Sequence, residues 1–338
     1  MKKVILIALV AFLSSCSKFS YSVKDIDSTT LYVTMSQAPG GSAENYIVMM
    51  SRLVSSIHYV CHPDTALKVD CGEYYAAIFR ADESAFEIKG LEAFRRDPSV
   101  SMQEVYACLH EGDEEEVGDM ASFNAYSSFV TSADATLVVD FQKASFIDSA
   151  AVMCFTPRSL TQRLTFSLKV RSEQGVAIES LHAAVSGVPG KVRLMSGLIR
   201  NDEDNPTYRQ VVDMKVVGMS EGAQVYEGTT SVLGLFPPTS SKYASGPGIF
   251  QVCMQASVMQ DGVLKRRTFH VGINLKDVIA KAGLMEQAAD CSGYRVIKSK
   301  ARIDVPVILT VDVDKITSSA GEGLVEWVVN DDDIEVDV

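Results

Sequence analysis

Apolar and polar residues alternate with period two over much of this chain. In "RLTFSLKVR", Leu164, Phe166, Leu168 and Val170 fall on one side and Thr165, Ser167 and Lys169 on the other. Alternation of this length predicts a half-buried strand. "DVPVILTVDVD" repeats the pattern: Val305, Val307, Leu309, Val311 and Val313 point one way. Asp304, Pro306, Thr310 and Asp312 point the other, with Ile308 out of step. A proline donates no ladder bond, so Pro306 predicts a sheet edge or a strand start. Further strand candidates are "TTLYVTM", "YIVMMSRLVSSIHYV", "EVYACLH", "ATLVVDF", "KVRLMSGLI", "VVDMKVVGM", "GIFQVCMQASVM" and "VLKRRTFHVGI". Turn-forming clusters such as "SGVPGK", "NDEDNP" and "ASGPG" separate them.

Helical periodicity is scarce. "NLKDVIAKAGLMEQAA" puts Leu275, Val278, Ile279 and Ala282 on one stripe, with Asn274 as its predicted N-cap. "DESAFEIKGLEAFRR" is a weaker candidate that Gly90 interrupts, and "GDMASFNAYSSF" predicts a short helical turn. Many short strands with few helices predict an all-β fold of sandwiches or barrels. The chain has 338 residues, which at roughly 100–200 residues per domain suggests two domains. The best boundary is "FTPRSLTQ" (155–162), where Pro157 ends one strand and a fresh alternation begins at Leu164. The expected layout is a signal at 1–15, a tether at 16–27, an N-terminal domain at 28–156 and a C-terminal domain at 157–338. No repeat of fixed period stands out.

The first residues break the strand pattern. Lys2 and Lys3 precede an apolar run from Val4 to Leu13. That run is far shorter than the about 20 residues needed to span a bilayer. Ser14, Ser15 and Cys16 follow. The layout is that of an export signal, and Leu13-Ser14-Ser15-Cys16 resembles the bacterial lipobox. The resemblance implies cleavage between Ser15 and Cys16 and acylation of Cys16. Two or more acyl chains hold a protein durably, at about 0.8 kcal/mol per buried CH₂. Ser17 stands where an aspartate would resemble an inner-membrane retention signal, so the expected destination is the outer membrane.

Charge and composition exclude more than they suggest. The net charge is −12, against a nucleic-acid binder. Seven cysteines occur. With Cys16 set aside, Cys61 and Cys71 form the nearest pair and a candidate hairpin bridge, the alternative being that all six are small core hydrophobes. His58, Cys61 and His62 look like a ligand cluster. On a strand, however, His58 and His62 lie about 13 Å apart, and no metal is expected there. Asp312, Asp314 and Asp331–Asp333 lack the spacing of a calcium loop. No GxSxG, HExxH or phosphate-loop motif appears. Neither an enzyme nor a cofactor is expected.

One stretch carries a family likeness. "PRSLTQRLTFSLKVRSEQGVAIESLHAAVSGVPGKVRLMSG" resembles the fimbrillin-like lipoproteins, the type V pilus subunit and anchor proteins of gut and oral anaerobes. It has a basic strand at Arg163–Arg171, the Ser186-Gly187-Val188 triplet, and a strand from Val192 closing in a small-residue turn at Gly197. The likeness continues more faintly through "FHVGINLKDVI" and "EWVVNDDDIEVDV" and covers most of 156–338. It implies two tandem transthyretin-like β-sandwich domains with one or two short helices. It also implies a role in fimbrium anchoring, assembly or adhesion, with fimbrial subunits as partners through β-strand addition. In that family an arginine-specific protease removes the first strand of a polymerising subunit, and the open groove accepts a strand from a neighbour. The nearest candidate processing arginine is Arg52, which lies inside an apolar run and is poorly placed for cleavage. That favours a chain that keeps its lipid at the cell outer membrane. The alternative is a surface glycan- or ligand-binding lipoprotein, with loops such as 233–248 supplying the site.

Overall fold

The computed structural model describes residues 28–36, 42–53, 57–112, 136–241, 246–260, 262–312, 315–319 and 325–330. In chain order the first part contributes β1 (Ser28–Met35), β2 (Ile47–Arg52), β3 (His58–Cys61), β4 (Ala66–Asp70), β5 (Gly72–Ala81), β6 (Phe86–Lys89), helix α1 (Leu91–Arg96), β7 (Tyr106–Leu109), β8 (Leu137–Phe146) and β9 (Ala150–Phe155). There follow β10 (Arg158–Ser159), β11 (Gln162–Ser172), β12 (Val176–Pro189), β13 (Lys191–Arg193), β14 (Thr207–Val212), β15 (Lys215–Ser220), β16 (Ala223–Val232), β17 (Ile249–Gln260) and β18 (Val263–Asn274). Helix α2 (Lys276–Ala282), β19 (Met285–Gln287), β20 (Tyr294–Val296), β21 (Lys300–Val311), β22 (Ile316–Ser319) and β23 (Val325–Asn330) complete the order. The fold is all-β. Among the described residues no helix is long and apolar enough to cross a membrane.

In the second half two five-stranded sheets, β15-β16-β11-β21-β22 and β14-β12-β17-β18-β23, enclose one core. Leu164, Phe166, Leu168 and Val170 of β11 are fully buried, as the alternation requires. Phe166 stacks on Phe250 of the facing sheet at 5.1 Å between ring centroids. Ile303, Val305, Val307, Leu309 and Val311 of β21 fill the same core.

In the first half the five-stranded sheet β10-β8-β5-β2-β3 is covered on both faces. Tyr74, Ala76 and Ile78 of β5 face the small sheet β4-β1-β9, joining Leu31, Val33 and Phe155. Ala77 and Phe79 face the other way, onto α1, β7 and residues of the second half: Val192, Leu194, Ile199, Leu233 and Phe236. β13 also adds to β7, and β10 to β8, so strand pairing crosses residue 157 at both places.

Several local expectations change. At Pro306 the expected edge is joined by a bulge: one flank of β21 has no paired strand there among the described residues, and on the other β21 pairs with β11, with the register jumping from Ser167↔Asp304 to Lys169↔Ile308. The proline occupies the resulting bulge, where its missing donor costs no ladder bond. β22 joins the unpaired flank only from Ile308 onward. "YIVMMSRLVSSIHYV" is a hairpin of β2 and β3, and "VVDMKVVGM" is the two strands β14 and β15. "DESAFEIKGLEAFRR" divides at Gly90: β6 precedes it, and only Leu91–Arg96 is helical. Gly90 adopts φ 83° there, and a Cβ would fall against the Glu104 carbonyl. The α2 cap shifts by one residue. Leu275 is the N-cap, while Asn274 Oδ1 still accepts the Lys276 N–H at 3.0 Å. "GDMASFNAYSSF" lies outside the described residues.

Candidate functional site: the first strands and Arg52

Ser15 and Cys16 lie outside the described residues, so the site is built from the strand they lead into. β1 is the middle strand of its sheet, antiparallel to β4 and parallel to β9. Its Leu31 and Val33 are fully buried against Tyr46, Val48 and Met50 around β2. β2 is in turn an interior strand between β5 and β3.

Arg52 closes β2, in register with Tyr74. Its backbone N–H donates to Ile57 O at 3.1 Å. Its guanidinium donates to the Cys71 carbonyl at 2.5 Å and to Asp70 Oδ2 at 3.4 Å. Gly72 makes room for this: a Cβ there would lie 2.7 Å from Arg52 Nε. The side chain is thus a clasp between the β2 end and the β4–β5 turn, 27% exposed. A trypsin-like protease needs an extended, unpaired arginine, and this one is paired through both backbone and side chain.

The other sequence candidates do not converge. His58 Nδ1 lies 3.0 Å from Phe94 O, and its ring stacks on Phe94 at 4.1 Å. His62 Nδ1 lies 2.9 Å from Tyr46 O. Both imidazoles therefore fasten strands to neighbours. Among the described residues no group of three or more His, Cys, Asp or Glu could hold a metal ion. Asp312 is described, whereas Asp314 and Asp331–Asp333 lie outside the described residues.

None of the six cysteines after Cys16 forms a disulfide among the described residues. β2 lies between β3, which carries Cys61, and β5, which Cys71 precedes. Two ladder spacings, about 9–10 Å, are too wide for a disulfide. Nor are all six core residues: Cys253 is buried, Cys61, Cys71 and Cys108 are half-buried, and Cys154 and Cys291 are exposed. Burial pushes the Cys61 thiol up to about 11.

The loop at 233–248 is largely structural in its first half. Leu233, Leu235 and Phe236 are buried, and the Phe236 N–H donates to Gly187 O at 3.0 Å. It lands on the Ser186-Gly187-Val188 triplet, whose physical role the sequence did not reveal. Gly187 is the extra residue where β12 slips past β14, at φ 87°. A Cβ there would lie 2.7 Å from Gly248 N and 2.8 Å from Pro247. Ser186 Oγ donates to Gly246 O at 2.5 Å and accepts the Ile249 N–H at 3.0 Å. The triplet is a knot tying β12 to the entry of β17.

No protein-family model matches the chain, and no curated protein matches it. Among solved structures it is similar to an adhesin candidate from Bacteroides thetaiotaomicron, at 12% identity over 93% of this chain and 99% of that one, with a TM-score of 0.45. It is similar to the fimbrial anchor protein Mfa2 from Porphyromonas gingivalis at 12% identity, over 91% and 99% of the two chains, with a TM-score of 0.44. An adhesin candidate from Bacteroides ovatus aligns at 9% identity over 89% and 95%, with a TM-score of 0.45. At such values the case for a function has to rest on this chain's own residues.

Proposed function

We propose that the chain is a non-enzymatic structural lipoprotein of the cell outer membrane. It is cut between Ser15 and Cys16, held by lipid on Cys16, and takes part in fimbrium anchoring, assembly or adhesion. We place its two β-sandwich domains at 28–156 and 157–338, with β10 and β13 of the second reaching across to pair with β8 and β7 of the first. The observation that carries this reading is the setting of the first two strands. Cleavage after Arg52 would remove β1 and β2, and with them Leu31, Val33, Tyr46, Val48, Met49 and Met50, all fully buried. Losing even one large buried side chain costs about 2–5 kcal/mol, whereas a whole domain holds about 5–15 kcal/mol. A polymerising role that discards this segment would dismantle the first half, so a chain that retains it and stays tied to the membrane fits better. Its contacts with fimbrial subunits would be made by strand addition at a free sheet edge.

Mass mapping of the mature protein from outer-membrane fractions tests this. The expected N-terminal peptide begins at an acylated Cys16, and Cys16→Ala should move the protein out of the membrane fraction. A mature N-terminus directly after Arg52, or after any later arginine, would overturn the anchored form.

A further inference from the structure

The outer face of the β16-β11-β21 sheet is laid out in rungs. At one end Ser231, Arg163 and Lys300 stand side by side; the next rung is Thr229, Thr165 and Arg302; the next is Glu227, Ser167 and Asp304. Strand neighbours are about 5 Å apart. Arg163 and Lys300 are therefore like charges directly across a ladder, an arrangement that destabilises a sheet. Both are exposed, and neither has an ion-pair partner among the described residues.

The remaining cations of this face are engaged. Arg302 binds Glu227 at 2.5 Å and Asp304 at 2.8 Å. Lys169 binds Glu221 Oε2 at 2.9 Å, and Arg171 donates to the Glu221 carbonyl at 2.8 Å. The uncompensated charge sits at the Arg163–Lys300 end, on a chain whose net charge is −12. Arg163, Thr165, Lys300, Ala301 and Arg302 line a shallow cleft there, wide open to solvent, of about 440 Å³. Beside the two cations stand hydroxyls: Thr165 and Thr229 share a hydrogen bond at 3.0 Å, and Ser231 faces outward from the strand next to Arg163.

Two open cations, a guanidinium fixed by its own carboxylates and a row of hydroxyls suit one class of ligand. We propose that this cleft binds an acidic saccharide, with a sugar carboxylate or sulfate between Arg163 and Lys300. The sugar hydroxyls would meet Thr165, Thr229 and Ser231. Arg302 is positioned, through Glu227 and Asp304, to flank the ring without competing for the anion. An anion in this place also removes the repulsion between Arg163 and Lys300, so ligand binding and strand pairing support each other. The site does not depend on how the chain is anchored.

The test titrates the full-length chain, in detergent, with four probes: oligogalacturonate, a heparin-derived oligosaccharide, a neutral malto-oligosaccharide and polyglutamate. Binding of either acidic oligosaccharide, with none of the neutral one, is the expected result: oligogalacturonate binding shows that a carboxylate is enough, and heparin binding without oligogalacturonate shows that sulfate is needed. Arg163→Ser and Lys300→Ser should each weaken it about tenfold, the loss of one charge-assisted contact. Lys300→Gln should do the same if Lys300→Ser folds poorly. Lys143→Gln, on the first half, should leave affinity unchanged. Binding that survives in the Arg163→Ser/Lys300→Ser double variant would sink the proposal. So would polyglutamate binding as tightly, equal weakening by Lys143→Gln, or no binding of either acidic sugar. The melting midpoint gives a second reading, since the double variant should melt no lower than the parent once a like-charge pair is gone.

Discussion

The two halves of the molecule repeat one device and bury it differently. In the first half β1 lies between an antiparallel neighbour, β4, and a parallel one, β9. In the second half β11 lies between antiparallel β16 and parallel β21. Each half thus places its leading strand at the centre of a sheet and returns a late strand parallel to it. The surroundings differ. β11 has one wet face and one dry face, whereas β5, at the centre of the first half's larger sheet, is dry on both. The lesson is that the second half closes around its own core, while part of the first half's core is completed by the second. Leu233 and Phe236 sit in the cluster that covers Phe79 and Phe94.

The strongest way to break this comparison is to cut one aromatic from each core. Phe166→Ala and Phe236→Ala should each cost about 3–5 kcal/mol, the usual loss for a buried phenylalanine. Their reach should differ. Phe236 packs against Tyr294 at 5.4 Å but shares its cluster with β5 and β8. Phe236→Ala should therefore speed amide exchange in β5, although β5 lies more than 150 residues away in sequence. Phe166→Ala should speed exchange in β11 and β17 and leave β5 nearer the parent rate. Equal protection of β5 in both variants would mean that the halves do not share a core.

The same contrast explains what could be read in the sequence. β11 and β21 were legible because a half-buried strand writes period two into the chain. β5 reads "YYAAIF", with no alternation at all, because both of its faces are dry. The repeated device was not legible either: it lies in which strands pair, and β1 and β11 share no side-chain pattern beyond alternation. Pro306 signalled an interruption, yet the bulge that absorbs it on the β11 side depends on the partner strand. Arg52 was singled out for its residue type, whereas its clasp on the Cys71 carbonyl depends on Gly72 and on β2 running beside β5. The anion cleft was invisible because Arg163 and Lys300 are far apart in the chain and meet only through the β11–β21 register.

A smaller effect sharpens the comparison at the second half's knot. Gly187→Ala should cost at least the ~1–2 kcal/mol that an L residue pays in the left-handed region, since Gly187 has φ 87°. Crowding by Gly248 N and Pro247 adds to it. A urea titration of Gly187→Ala beside Gly222→Ala separates the two causes. Gly222 has φ 73°, and a Cβ there would meet nothing within 4 Å, so it carries the conformational cost alone. Equal losses at both positions would show that the packing around the triplet yields freely and is no knot.

The smallest effect is electrostatic and lies on the rim of the same half. The Lys169 ammonium bonded to Glu221 holds that carboxyl below its ordinary range, with Arg171 adding to the pull. A depressed folded pKa stabilises the fold above the unfolded carboxylate value of about 4.3 and loses that stabilisation as pH falls through the lower folded value. The pair is open to solvent, so salt should screen it. Glu221→Gln should lower the melting midpoint slightly at pH 7 in dilute buffer. The gap from the parent should shrink below pH 4 and close in about 1 M salt, where the Debye length is about 3 Å. A gap that persists at both acid pH and high salt would show that the Glu221 side chain contributes through something other than its charge, since the backbone carbonyl that holds Arg171 is the same in both proteins.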